Sequence, residues 1–370
     1  MKVPLLLSLL LGTAVAPVLA GPLEDAVKTL TQVGREGAGN EAATQAWTQV
    51  VASGPKGLMP LLAQSGSGSS VADNWVRLAG NAIVAQALEA KQPLPLDAVE
   101  AFLTNTAHPE AARLLAFDLL QQADANRAEK LERTFGNDPV QKLRRGAVAF
   151  LLTSAASKSG DEAKKAYQEA LSVARDEDQT KIVSEALKKL GVDVDIPKHF
   201  GFLTQWQVIG PFDNTKGAGF QTAFPPETEV VLDKSYAGKS GPVKWQPATS
   251  KDEYGKLNLN ESLTALKEAT AYAATTFESG EAREAELRLG CKNAWKVWLN
   301  GELLFARDEY HRGQRMDQYR LKGRLRKGSN TILVKCCQNE QTESWTVEWE
   351  FQLRVCDGTG TALLSSASKR

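Results

Sequence analysis

The stretch Glu286–Leu321, ELRLGCKNAWKVWLNGELLFARDEYHRGQRMDQYRL, decides the fold of the second half of this chain. Trp295, Val297 and Leu299 alternate with Lys296, Trp298 and Asn300. That period-2 pattern is the mark of a half-buried strand. Asn300-Gly301 predicts a tight hairpin turn, because both residues accept positive φ. Glu302 to Ala306 then returns as a strand, and Arg307 to Arg312 (RDEYHR) forms a loop dense in charge and hydrogen-bonding groups. The stretch thus reads as strand, loop, strand, turn, strand and polar loop.

The same pattern extends outward from it. Leu203–Ile209 predicts a strand stopped by Gly210-Pro211, followed by a long loop over 212–227. Short strands are expected at 230–232 and 243–246, and an Ala-rich one at 269–277. Gly328-Ser329-Asn330 turns into a strand over 331–337. The closing strand is expected over 345–355, with Trp345, Val347, Trp349, Phe351, Leu353 and Val355 facing inward. Roughly eight strands with short turns and little helix predict an antiparallel β-sandwich over 198–358. The small, polar tail over 359–370 is expected to be disordered.

Upstream the period changes from 2 to 3.6. Apolar stripes run through Trp75, Leu78, Ala79, Ala82 and Ile83, and through Ala112, Leu115, Ala116, Leu119 and Leu120. Others run through Val140, Leu143, Ala147, Phe150 and Leu151, and through Val183, Ala186, Leu187 and Leu190. These predict an α-helical domain over 21–197. Pro109 and Pro139 stand in first turns behind polar residues, and Gly54, Gly136, Gly160 and Gly191 punctuate ends. Arg77, Arg113 and Arg145 each precede a small apolar run, a faint repeat that suits stacked helix pairs.

Residues 1–20 carry Lys2, a Leu-rich core and Val18-Leu19-Ala20, the pattern of a cleaved signal peptide. The expected location is therefore periplasmic or extracellular. No later segment has the ~18 apolar residues that a membrane span needs. Lys plus Arg and Asp plus Glu balance at 44 each, so no global field favours nucleic acid. All four cysteines, Cys291, Cys336, Cys337 and Cys356, lie in the last third. In an exported chain three pairings are open, as are four unpaired thiols. Strand parity turns Cys291 and Cys336 toward the core and places Cys337 and Cys356 on polar faces.

Four motifs resemble the galactose-binding-like jelly roll found beside many secreted bacterial glycoside hydrolases. They are Trp206–Phe212 (WQVIGPF), Lys296–Gly301 (KVWLNG), Leu325–Lys335 (LRKGSNTILVK) and Trp349–Val355 (WEFQLRV). They are also similar to domains of exported planctomycete-type proteins. The helical half resembles HEAT-type repeats, with a last pair over 163–190 closer to a tetratricopeptide unit. The resemblance implies a sandwich, a concave helical face for a protein partner, and a glycan as one ligand class. Each motif residue also has a purely structural role in turning or stopping a strand.

In the 307–312 loop, Arg307, Asp308, Tyr310, His311 and Arg312 offer planar polar groups for sugar hydroxyls, with Trp298 as a stacking platform. Asp308, Glu309 and Asp317 are candidate calcium ligands, with Asp213 and Asn214 as an alternative, although no fixed-spacing calcium loop is present. No other cofactor is implied. His108, His199 and His311 are far apart, and no G-x-S-x-G, H-E-x-x-H or phosphate loop occurs. The expected function is a non-enzymatic exported binding protein that contacts carbohydrate or a protein. A purely structural assembly protein and an unrecognised carbohydrate-active enzyme are the alternatives.

Overall fold

A computed structural model describes residues 21–66 and 69–366 of the chain. The expected signal peptide and the last four residues of the expected tail lie outside the described residues. The chain divides into two compact units, one ending at Thr134 and the other beginning at Phe135.

The first unit is helical: α1 (Pro22–Leu30), α2 (Asn40–Ala52), α3 (Leu58–Gln64), α4 (Ser70–Glu89), α5 (Leu96–Thr104), α6 (Glu110–Ala123) and α7 (Ala125–Glu132). The Ser69 side chain caps α4 by accepting from the Ala72 amide. The expected α6 stripe is buried, from Ala112 through Leu120. The α4 stripe is rotated by about one position: Val76 and Gly80 are buried, whereas Leu78 is 59% exposed. Gly80 explains the rotation. A Cβ there would stand 3.3 Å from Leu119, so the bare glycine lets α6 close on this side of α4. The three spaced arginines are not equivalent either. Arg113 is buried and donates to Leu103 O at 2.8 Å, whereas Arg77 is exposed and Arg145 is half-buried and paired with Asp178 at 2.7 Å.

The second unit begins with α8 (Gln141–Ala156), α9 (Gly160–Val173), α10 (Glu177–Lys189) and α11 (Ile196–Phe200). The change from helix to strand therefore falls between Phe200 and Gln205, near the expected position, but the division between compact units comes earlier. α11 is tied both to the sheets and, through His199 Nε2 at 2.9 Å from Ala174 O, to the end of α9. Arg354 Nη1 donates to Phe200 O at 3.0 Å, and Phe202 lies beside strand residue Arg354.

The strands are β1 (Gln205–Asp213), β2 (Ser235–Gly238), β3 (Gly241–Lys244), β4 (Gln246–Thr249), β5 (Leu257–Asn258), β6 (Ala269–Ser279), β7 (Arg283–Cys291), β8 (Ala294–Leu299), β9 (Glu302–Arg307), β10 (Tyr319–Leu325), β11 (Gly328–Gln338) and β12 (Glu350–Cys356). They form a six-stranded sheet in the order β4-β1-β6-β11-β8-β9, a four-stranded sheet in the order β10-β7-β12-β5 and a two-stranded sheet, β2-β3. Every pairing is antiparallel. One apolar core lies between the sheets. Trp206, Phe277, Trp295, Val297 and Val334 enter it from the larger sheet, and Leu287, Leu289, Leu321, Phe351 and Leu353 from the smaller. The hairpin is formed as expected, with Asn300 at φ 53° and Gly301 at φ 83°.

Several expectations are corrected. Gly210-Pro211 does not end β1. The pairing with β6 shifts register there and resumes at Phe212↔Thr270, so the pair sits in a bulge. Residues 230–232 form no strand, and Leu232 is exposed. The closing strand begins at Glu350, because Ser344–Thr346 forms a 3₁₀ turn. Tail residues 359–366 are laid down rather than loose. Leu363 N donates to Val355 O at 2.9 Å, and the Ser365 hydroxyl accepts from Glu278 N at 3.0 Å.

Candidate functional site

The segment between β1 and β4 determines what the outer face of the larger sheet can do. Phe224, Val230, Tyr236, Val243 and Trp245 pack over Ile209, Phe212, Tyr272, Trp298 and Leu333. Lys335, fully buried on that face, anchors the cover. Its Nζ donates to Phe220 O at 3.1 Å, Thr222 O at 2.8 Å and Glu227 Oε1 at 2.6 Å. Glu227 also accepts from the Tyr272 hydroxyl. Burial lowers the Lys335 pKa, with the Glu227 carboxylate opposing the shift.

Trp298 is therefore no sugar platform, since the cover leaves it 6% exposed. In the 307–312 loop, Tyr310 packs beside Phe220, Ala294 and Cys337, outside that cluster. Arg307 and Arg312 both reach Glu309, at 2.9 and 3.7 Å, and Asp308 is exposed. Tyr310 is half-buried, and its hydroxyl accepts from Asn214 Nδ2 at 3.2 Å. Burial pushes its pKa up.

The candidate calcium ligands are not gathered either. Asp317 is held by two arginines: Arg354 through Nε and Nη2, and Arg288 through Nη1, each at 2.6 Å. Asp213 faces Lys239 at 3.2 Å, and Asn214 is buried with its Nδ2 donating to Gln338 O at 2.9 Å. Among the described residues no group of three or more His, Cys, Asp or Glu side chains is placed to hold a metal ion.

What the chain does assemble is a buried amide network at the end of the sandwich where 213–217, 292–293, 308–312 and 339–349 meet. Gln338 is at its centre. Its Nε2 donates to Thr346 O at 3.1 Å and to Val347 O and Glu348 O at 3.3 Å. Its Oε1 accepts from Asn293 Nδ2 at 3.2 Å and from Asn339 N at 3.1 Å. His311 Nε2 stands 3.2 Å from Asn339 Oδ1, and Asn339 Nδ2 donates to Gln341 Oε1 at 3.3 Å. Lys267 Nζ adds a bond to Thr346 O at 2.8 Å, and Lys292 pairs with Glu348. The bonds from Gln338 and Lys267 to the carbonyls of Thr346, Val347 and Glu348 hold that backbone, while His311 Nδ1 and Asn214 Oδ1 are buried without a hydrogen-bond partner.

Held on that backbone, Trp345 is 68% exposed, with Val347 exposed beside it. The sequence pattern had placed Trp345 in the core by carrying the alternation of β12 back into the turn. The signal pointing the other way is local: Glu340–Ser344 (EQTES) is wholly polar, and Thr346 bonds back to Gln341 O at 2.9 Å and Glu343 O at 2.8 Å. His311 joins this end through Asn339, and Tyr310 through Asn214. Trp298 and Asp317 do not join it. A second surface, a groove of about 480 Å³ between β9 and β10, is lined by Leu299, Leu304, Lys322, Arg324, Arg326 and Lys327.

Among the described residues no helix is long and apolar enough to cross a membrane. No family model matches the sequence, and no curated protein matches it. Among solved structures the chain is similar to a β-glucosidase from Kluyveromyces marxianus, at 9% identity and TM-score 0.26, over 75% of this chain and 35% of that one. A structure of the K. marxianus β-glucosidase with glucose matches at 11% identity and TM-score 0.27, over 75% and 36%. A GH31 α-xylosidase from Xanthomonas citri matches at 10% identity and TM-score 0.20, over 42% and 16%. The chain spans little more than a third of the length of these enzymes at most. At such scores the likenesses carry no argument about fold or function.

Proposed function

We propose that this is a non-enzymatic exported binding protein whose β-sandwich, of the galactose-binding-like jelly-roll kind, contacts carbohydrate through Trp345. The observation that carries the reading is an exposed indole on a loop pinned by the buried Gln338 amide. Sugars present C–H faces that stack on a flat aromatic ring, and hydroxyls that bond planar polar groups. Gln341 and Glu343 precede the indole on the same loop and carry an amide and a carboxylate. In this reading His311 and Asn339 position the loop rather than meet the ligand. The helices, read as HEAT- or tetratricopeptide-like, would offer their face to a protein partner. The leader-like residues 1–20 support export.

The test is calorimetric titration of the full chain with a panel of soluble polysaccharides, with and without calcium. Saturable binding to at least one is expected. Trp345→Ala should abolish it while changing stability by no more than ~0.5 kcal/mol, the usual range for an exposed side chain. Binding that survives in Trp345→Ala would refute this assignment of the site. Failure to bind any panel member would favour a second reading, a structural or assembly protein without a small ligand. One observation supports that second reading. The loop half with Met316 and Asp317 packs against the Ile196–Phe200–Phe202 cluster and is committed to holding α11 on the smaller sheet.

A further inference from the structure

We infer that Cys291 and Cys336 are a disulfide-forming pair that staples the two sheets of the sandwich together when the chain folds in the presence of a disulfide oxidant. The two residues belong to different sheets: Cys291 ends β7 in the smaller one, and Cys336 lies within β11 at the middle of the larger. Across the core between them their sulfurs stand 3.8 Å apart. Both are buried among the apolar residues shared by the two sheets. A disulfide sets its sulfurs at ~2.05 Å, so closure asks the thiols to approach by under ~2 Å, within reach of small side-chain and strand adjustments. What closure gives up is small. Cys291 Sγ is 3.5 Å from Asn293 O and Glu350 O, and a thiol is a weak donor.

The other two cysteines are directed elsewhere. Cys337 follows Cys336 and so points to the opposite face of β11, where its sulfur lies 3.4 Å from Thr270 Oγ1 beside Phe220 and Ala294. Cys356 lies on β12, with its sulfur 3.7 Å from Glu286 O. Of the three pairings open to four cysteines, the fold prepares one bond and leaves two thiols.

The chemistry is a thiol–disulfide exchange with a small dissolved disulfide such as oxidised glutathione. One cysteine thiolate attacks it, forming a mixed disulfide and releasing one glutathione thiolate. The second cysteine thiolate then displaces the other. Two protein thiols lose two electrons and two protons, and the oxidant becomes two thiols. Burial raises the Cys336 pKa well above its ordinary value, and the closed sheets shield both sulfurs. Exchange therefore belongs to the folding chain, before the sheets close. The export expected from residues 1–20 would supply an oxidising setting, but the test does not depend on it.

The full chain is refolded from denaturant and reductant into a glutathione redox buffer, and separately into reductant alone. Thiols are then alkylated under denaturing conditions, and the peptides are mapped by mass. Oxidative refolding should protect two of the four cysteines and link the peptide carrying Cys291 to the one carrying Cys336 and Cys337. The double variant Cys337→Ser/Cys356→Ser should keep the link, and Cys291→Ser should lose it. Closing 45 residues of sequence separation should also move the denaturant midpoint of the oxidised chain above that of the same chain reduced. Four alkylated cysteines after oxidative refolding, or a link that needs Cys337 or Cys356, would overturn the inference.

Discussion

Replacing Asp317 with Asn tests whether the buried ion cluster holds the second unit together. Asp317 accepts from Arg354 Nε and Nη2 and from Arg288 Nη1, each at 2.6 Å. Both guanidinium groups are buried. Charge-assisted hydrogen bonds contribute ~1.5–3 kcal/mol each, so three would total ~4.5–9 kcal/mol if they were independent. They are not. Asn keeps one acceptor oxygen, Arg288 keeps Glu286 at 2.7 Å, and Arg354 keeps Phe200 O and Gly360 O at 3.0 Å. The expected loss is therefore ~3–5 kcal/mol, the usual result of removing one partner from a buried pair and leaving the other charge unpaired. Glu284→Gln is the control. Its pair with Arg324, at 3.1 Å, is exposed on both sides, and its loss should cost under ~0.5 kcal/mol.

Guanidinium denaturation followed by tryptophan fluorescence is the assay, since six of the eight tryptophans lie at or beyond residue 206. The pH dependence gives a second check. Burial acts to raise the Asp317 pKa, but the hydrogen bonds and charges of Arg354 and Arg288 outweigh it and hold the carboxyl below its ordinary value. A carboxyl with a lowered pKa in the fold binds its proton more readily in the unfolded chain. Its contribution is complete above the unfolded value of ~3.9 and is lost as pH falls through the folded value. The gap between the natural chain and Asp317→Asn should therefore be flat from about pH 7 to pH 5 and close below about pH 4. A gap under ~1 kcal/mol at pH 7, or one that stays open in acid, would refute the reasoning.

Two further predictions concern the covered face. Trp298→Ala should cost ~3–5 kcal/mol in the same denaturation assay, because it empties a core position under the cover, whereas an exposed platform would cost almost nothing. Lys335→Met should leave the half-buried Glu227 without its cation and raise amide exchange across 218–230, measured by hydrogen–deuterium exchange. The double variant Lys335→Met/Glu227→Gln should recover part of the stability lost in the denaturation assay, since removing both charges relieves the unpaired one.

The inner faces of the sheets were legible because parity is a local rule. Trp295, Val297 and Leu299 face the shared core as their alternation predicts, and Cys291 and Cys336 follow the same rule. The outer faces were not. Parity puts Trp298, Lys335 and Cys337 on the outer face of the larger sheet, but parity alone does not say whether that face meets water. Whether it is exposed depends on the segment over 214–245, where the sequence pattern offers only short strands at 230–232 and 243–246 and no sign that they fold over the sheet. Lys335 in particular reads as a solvated lysine unless one knows that three backbone and side-chain acceptors from that segment meet it. For the same reason the candidate loop was split by the fold. Asp317 is ten residues or fewer from every member of the 307–312 group, yet it faces Arg354 from a strand 37 residues away.

The six tryptophans at or beyond residue 206 sharpen what the exposed one signifies. Five are 8% exposed or less, and Trp345 is 68% exposed. Burying an indole removes ~150–250 Å² from water, which at ~25 cal/mol/Å² is ~4–6 kcal/mol that the fold forgoes at this one position. The loop that carries Trp345 does not lack ordering contacts. Gln338, Thr346 and Lys267 bind its carbonyls, and Asn293 holds Glu348 O at 3.2 Å. A flexible loop with an apolar side chain would fold it inward. A loop whose backbone is fixed by buried amides cannot, so the indole stands in water. The buried network and the exposed ring are therefore one arrangement, and under the proposed function Gln338 would set the position of the indole that meets the ligand.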